Sequence, residues 1–354
     1  MTVRPRILLA TIAIAALATA ARAVTLNPDA IVDGLIYMPA IFSPGVISGP
    51  AHDSAPAFSR DGKTVYFTRS NAQQSTIFVS RRVHGDWQGA EIAPFSGEWN
   101  DMEPAFAPDG SYLVFVSNRP ANAGGAPIEA NYNGAPQKGG NLWRVDRHGD
   151  GWSAPVRLPE TVNPNASTFA PSVAADGSLW FMTTDEKSGK FRLFRSQYRE
   201  GRYLTAQALP FSDGSSTDVD PAVAPDESFV VFGSGRTPKR GIDLFIAYRD
   251  GTGWSAPQSL EDVNGPGSDA EARLAPDLST LYFSSDRVMP VAYPRTRDQA
   301  ARDSARMQAW DNGNYNVWSM PLALLRSAHP AAARLITGAT AGTSPRRDCG
   351  SWPH

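Results

Sequence analysis

The 354-residue chain writes one short pattern five times, and that repetition limits its fold more than any other feature. "APAFSRDGKTVYFTRSN", "EPAFAPDGSYLVFVSNRP" and "DPAVAPDESFVVFGSGR" are three of the copies. The turn aspartates are Asp61, Asp109, Asp176, Asp226 and Asp277, at intervals of 48, 67, 50 and 51 residues. A period near ~50 marks a propeller or an array, because one such unit cannot bury its apolar face alone. Each unit opens with a strand of small apolar residues. Asp61-Gly62, Asp109-Gly110 and Asp176-Gly177 then supply the positive φ of a two-residue hairpin, whereas Asp226-Glu227 and Asp277-Leu278 predict a longer turn. A β-branched and aromatic strand follows, such as "YLVFV". A third strand carries an aliphatic-aromatic pair, from Ile77-Phe78 to Val317-Trp318. A turn ending in Trp87, Trp152, Tyr203 or Trp254 leads to a fourth.

Four antiparallel strands per unit make a propeller blade, so the fold class is all-β, with five blades and six as the alternative. Phe67, Phe115, Phe181, Phe232 and Phe283 alternate like core residues and are expected between blades. The fifth unit lacks a fourth strand after Trp318, and an orphan strand, "AIFSPGVIS", precedes the first unit. This segment, Ala40 to Ser48, is expected to complete the last blade and remove the open edge. The division that follows is a lead segment over 24–39, the propeller over 40–327 and a disordered tail over 328–354.

The Pro-x-Phe-Ala-Pro-Asp-Gly unit resembles the WD40-like repeat of the TolB propeller, over about Asp53 to Leu324. The resemblance implies a propeller and, with it, a binding or interaction scaffold. TolB usually shows six blades and carries a separate N-terminal α/β domain, for which the segment ahead of the first unit is too short. The repeat also resembles blades of the prolyl oligopeptidase family, but no Gly-x-Ser-x-Gly nucleophile elbow follows.

Arg4 and Arg6, the apolar run from Ile7 and the Ala21-Arg22-Ala23 site read as a secretory signal peptide over 1–23. The mature protein is therefore expected to be periplasmic or secreted, monomeric and without membrane insertion. The net charge of -2 gives no reason to expect nucleic acid. The single cysteine, Cys349, excludes an intrachain disulfide.

The five copies serve as controls for one another. Three positions before the strand proline stand Asp53, Asp101, Thr168, Asp218 and Asp269, with Ala272 replacing that proline in the last unit. One position before it stand Ala55, Glu103, Ala170, Asp220 and Glu271. The three units with a near acid also carry Arg119, Arg236 or Arg287 four positions after the second-strand phenylalanine. Glu103–Arg119, Asp220–Arg236 and Glu271–Arg287 are therefore expected as ion pairs within blades. The far aspartates Asp53, Asp101, Asp218 and Asp269 then lack a partner. Two readings stay open for them. They cap their own turns, or they ring the channel mouth as oxygen ligands for a cationic ligand or Ca²⁺.

Insertions from Ala121 and from Val288 to Asn316 separate the second and third strands of two units. The first is rich in Gly, Ala and Asn and reads as mobile; the second contains "RTRDQAARDSARMQAW", which predicts a short helix. Tyr132, Tyr293, Arg295, Trp310 and Tyr315 are their candidate contacts for a protein or glycan. No catalytic residue is assigned. The competing class is a glycan hydrolase using Asp101, Asp218 and Asp269 at the channel mouth.

Overall fold

The computed structural model describes residues 31–32, 35–36, 38–132, 134–237 and 241–323. The expected signal peptide, most of the lead segment and the tail lie outside these residues. The repeats form five antiparallel blades of a propeller. Blade one comprises His52–Phe58, Thr64–Ser70, Ser75–Val83 and Glu91–Ile92. Blade two comprises Asp101–Phe106, Tyr112–Ser117, Asn141–His148 and Val156–Arg157. Blade three comprises Thr168–Val173, Leu179–Thr184, Phe191–Ser196 and Gln207–Ala208. Blade four comprises Asp218–Val223, Phe229–Ser234, Asp243–Asp250 and Gln258–Ser259.

Blade five shows how the ring closes. Asp269–Leu274, Thr280–Ser285 and Asn316–Pro321 come from the fifth repeat, and Ala40–Ile41 supplies the outer strand. Ile41 pairs with Trp318 and Ala40 with Ser319. The strand is shorter than the expected Ala40–Ser48. Beyond Phe42 the chain turns, and the Ser48 hydroxyl donates to Val317 O while accepting from Val317 N.

Four of the five hairpin turns are alike, and that of blade three is one residue shorter. Glu227 and Leu278 adopt φ of 56° each, in the same left-handed region as Gly62, Gly110 and Gly177. The longer turns expected at Asp226 and Asp277 are formed, and the two-residue turns expected at Asp61, Asp109 and Asp176 are not. The turns are wider than two residues: Ser59 N donates to Thr64 O, Gly62 N donates back to Ser59 O, and the Asp61 carboxylate accepts from Lys63 N. Asp226 and Asp277 accept the same bond from Ser228 and Ser279, and this local network offsets the left-handed strain of an L-residue, about 1–2 kcal/mol.

Phe67, Phe115, Phe181, Phe232 and Phe283 are completely buried between blades. Each full burial contributes roughly 1.5–3 kcal/mol before entropy is charged against it. The outer-hairpin aromatics join the same packing. Trp152 of blade two meets Tyr66 and Phe95 of blade one edge-on at 5.9 and 5.8 Å, and its indole N–H donates to the Tyr66 hydroxyl.

Strand pairing fixes the two ends of the central channel. Asp269 lies opposite Ser285 and Leu274 opposite Leu281, so the insertions leave from the end where the innermost strands begin. The aspartate turns lie at the other end. The blade-two insertion contains a hairpin, Glu129–Tyr132 against Ala135–Lys138. The blade-five insertion contains a helix, Arg297–Ala309, capped by Thr296 and Gln299 in a reciprocal pair of bonds. Among the described residues no helix is long and apolar enough to cross a membrane.

Candidate functional site

The arginines choose different partners from those the repeats suggest. Arg119 bonds Asp101 at 2.5 Å, Arg236 bonds Asp218 at 2.7 Å and Arg287 bonds Asp269 at 2.5 Å. The expected Glu103–Arg119, Asp220–Arg236 and Glu271–Arg287 pairs are not formed. Blade one builds the same pair from a different position, Arg69 on Asp53 at 2.6 Å. All four aspartates are buried, and each guanidinium also covers a ring, as Arg119 does Phe115 at 5.1 Å. Three of them accept in addition from a backbone amide four residues earlier: Gly49, Gly97 and Gly265. They bind their own blades together and do not converge. Among the described residues no three His, Cys, Asp or Glu side chains form a group able to hold a metal ion. Burial pushes the Asp53 and Asp101 carboxyls up and the Arg119 guanidinium down, against the opposing pull of the pairing.

The physical reason is a bulge. In every blade the near residue has left-handed backbone: Ala55, Glu103, Ala170, Asp220 and Glu271 lie at φ of 48° to 55°. The register of the innermost strand shifts there, as between Met102 and Ala105. Alternation fails at that point. The far side chain points into its blade, while the near one points into the channel.

The bulge turns the near amides of blades one, two, three and five toward the preceding blade, where each finds an acceptor. Glu103 N finds the Thr68 hydroxyl at 2.8 Å, and Ala55 N finds Ser284 at 3.2 Å. The equivalent positions in blades two and four are Val116 and Gly233, which have no hydroxyl. There a near acid substitutes. Glu103 accepts from Ala170 N at 2.6 Å, and Asp220 accepts from Glu271 N at 3.2 Å. Glu271 differs, because Ser284 already serves its blade. No hydrogen bond to the Glu271 carboxylate is found among the described residues.

Glu103, Asp220 and Glu271 thus share the channel. Burial first, then the Asp220 and Glu271 charges, push the Glu103 carboxyl up to about 8. Burial and Glu271 push Asp220 up to about 7. Arg273, on the same innermost strand as Glu271, opposes both shifts from a distance beyond ion pairing. Two tyrosines stand over this group. Tyr315 is pushed up to about 12, by burial and then by Glu271, Asp286 and Asp220. Tyr132 is raised by burial and by Glu103, and packs on Phe191 at 5.4 Å.

The other loop candidates divide. Trp310 caps the helix and packs on Trp318 at 6.0 Å. Arg295 bonds Asp303 and lies over Tyr293, which is 75% exposed. Tyr293 belongs to an apolar patch: Val288 (55% exposed), Met289 (41%), Val291 (39%) and Met307 (54%). Asp311 draws the patch together by accepting from Met289 N and from Arg306. The sequence signal was present as "RVMPVAY", an apolar run inside an insertion.

No family model and no curated protein sequence matches the chain. Among solved structures it is similar to TolB from Acinetobacter baumannii, at 20% identity over 63% of this chain and 46% of that one, with a TM-score of 0.40. The chain therefore spans less than half the length of that TolB. It is also similar to a putative TolB from Agrobacterium tumefaciens, at 13% identity over 77% and 91% of the two chains, TM-score 0.46. A third similar structure is the alpha-L-arabinofuranosidase PaAbf62A from Podospora anserina, at 14% identity over 80% and 98%, TM-score 0.43. At such values none of the three speaks to activity.

Proposed function

We propose that the protein is an exported binding module that recognises a partner protein on its insertion-bearing face. The observation that carries this reading is the apolar patch. Among the described residues, five of the nine large apolar side chains that stand exposed, Val288, Met289, Val291, Tyr293 and Met307, lie in one insertion. Scattered exposed apolar residues need no explanation, but a concentration beside a polar opening marks a contact surface. The partner presents apolar side chains to the patch and a basic group to the acids of the channel. Glu271 is the acid available to it, since Glu103 and Asp220 each hold a neighbouring amide.

The test is cross-linking of the full chain in its host's exported fraction, with Met289→Asp and Glu271→Gln as variants. Both are expected to fold with unchanged midpoints, and Met289→Asp to lose the cross-linked partner. Recovery of the same partner by Met289→Asp removes the patch from the reading.

A second reading, glycan hydrolysis, keeps one observation in its favour: a carboxyl held protonated near neutral pH beside two others. Asp101, Asp218 and Asp269 cannot serve it, because arginines occupy them. Turnover of an aryl glycoside that disappears in Glu271→Gln would favour this reading over the first.

A further inference from the structure

We infer that the channel end opposite the insertions binds a small organic anion, a short carboxylate with an apolar body. A cavity of about 110 Å³ lies there on the axis. All five blades line it, through residues such as Pro56, Ala105, Pro171, Val223 and Pro276. Among the described residues the only charged ones in its wall are Arg60 and Arg273.

Both arginines depart from the repeat. Arg273 stands where the other blades have Ala57, Ala105, Ser172 and Ala222. Arg60 stands where they have Pro108, Ala175, Pro225 and Pro276. A position that only has to fill the channel is met by alanine or serine in four blades. The fifth instead carries a guanidinium that is 6% exposed. Its Nη1 donates to Ala272 O at 2.8 Å, but Nε and Nη2 are buried with no acceptor among the described residues. Serving as distant counter-charge to Glu103 and Asp220 balances its charge and leaves those two donors unmet. Orphaned donors on a charged group are expensive. Both donors are covered by protein atoms, so the guanidinium must turn toward the cavity for a carboxylate to meet the two parallel N–H groups at once. The surrounding proline, alanine and valine carbons suit a few methylenes behind it. The cavity is smaller than the ~150 Å³ that accommodates benzene, which limits the body to a few carbons.

The experiment is isothermal titration of the full chain with butyrate, butan-1-ol and inorganic phosphate. Saturable butyrate binding, with butanol silent, is expected. Arg273→Met should weaken it about tenfold or more, the loss of a charged hydrogen bond. Arg60→Gln, on the exposed rim, should weaken it less. Ala105→Leu, which fills the cavity without touching either charge, should abolish it and stands in should Arg273→Met fail to fold. Equal binding of butanol, binding of phosphate alone, no saturable heat, or full binding by Ala105→Leu would each overturn the assignment.

Discussion

Asp101 and Glu103 stand two residues apart on one strand, and the propeller uses them in opposite ways. Asp101 turns into its own blade and is neutralised by Arg119 at 2.5 Å. Glu103 turns into the channel, meets no cation at ion-pairing distance among the described residues, and holds the amide of blade three instead. The first acid makes a blade rigid; the second joins blades to each other. The difference teaches that charge balance alone does not assign a partner. Backbone direction does, and here a single left-handed residue sets it.

The largest expected effect breaks the first half of that comparison. Arg119→Met strands a fully buried aspartate and should destabilise by about 3–5 kcal/mol in urea unfolding. Adding Asp101→Leu should recover most of the loss. A cost below about 1 kcal/mol would put the pair in the class of surface ion pairs and sink the distinction. The coupling of Arg119 with Glu103 should be near zero.

The next effect sharpens the second half. Glu103→Ala leaves Ala170 N without its acceptor and should cost about 1–3 kcal/mol. Val116→Thr in that background should restore much of it, because Thr68 performs this service one blade earlier. Failure of the threonine to rescue would mean that Glu103 matters for something other than the orphaned amide.

The smallest effect is spread over pH. Glu103 and Asp220 hold protons more tightly folded than unfolded, so their contribution is complete below the unfolded carboxylate range near 4.5. It is lost as pH rises through about 7 and about 8. Urea midpoints should therefore fall between pH 5 and 8.5, and less steeply in Glu103→Gln. A wild-type midpoint that rises over this range would contradict the burial of the pair.

The blades themselves were legible in the sequence because the period, the turn aspartates and the alternating aromatics are local signals that agree. The closing strand was legible because a blade one strand short and a strand without a blade are complementary. The acids were not. Near acids and arginines occur together in three repeats, but a regular strand places positions one and three before the proline on the same face. Only the bulge separates them, and nothing in Ala55 or Glu103 announces left-handed backbone as glycine would. Asp53 held the missing clue: blade one has a far acid, no near acid, and an arginine displaced to position 69. Glu227 and Leu278 take the left-handed turn position without glycine because aspartate side-chain bonds hold a conformation that sequence habit reserves for it.

The strand Ala40–Ile41 carries one more consequence. Its neighbour Ser48 grips Val317 across 269 positions of chain. Such a contact forms late, because the entropy of so large a loop must be overcome before the contact returns anything. A ribosome releasing this chain therefore exposes an unpaired sheet edge until nearly its last blade is made. Until the ring closes, that edge is open to pairing with a neighbouring chain.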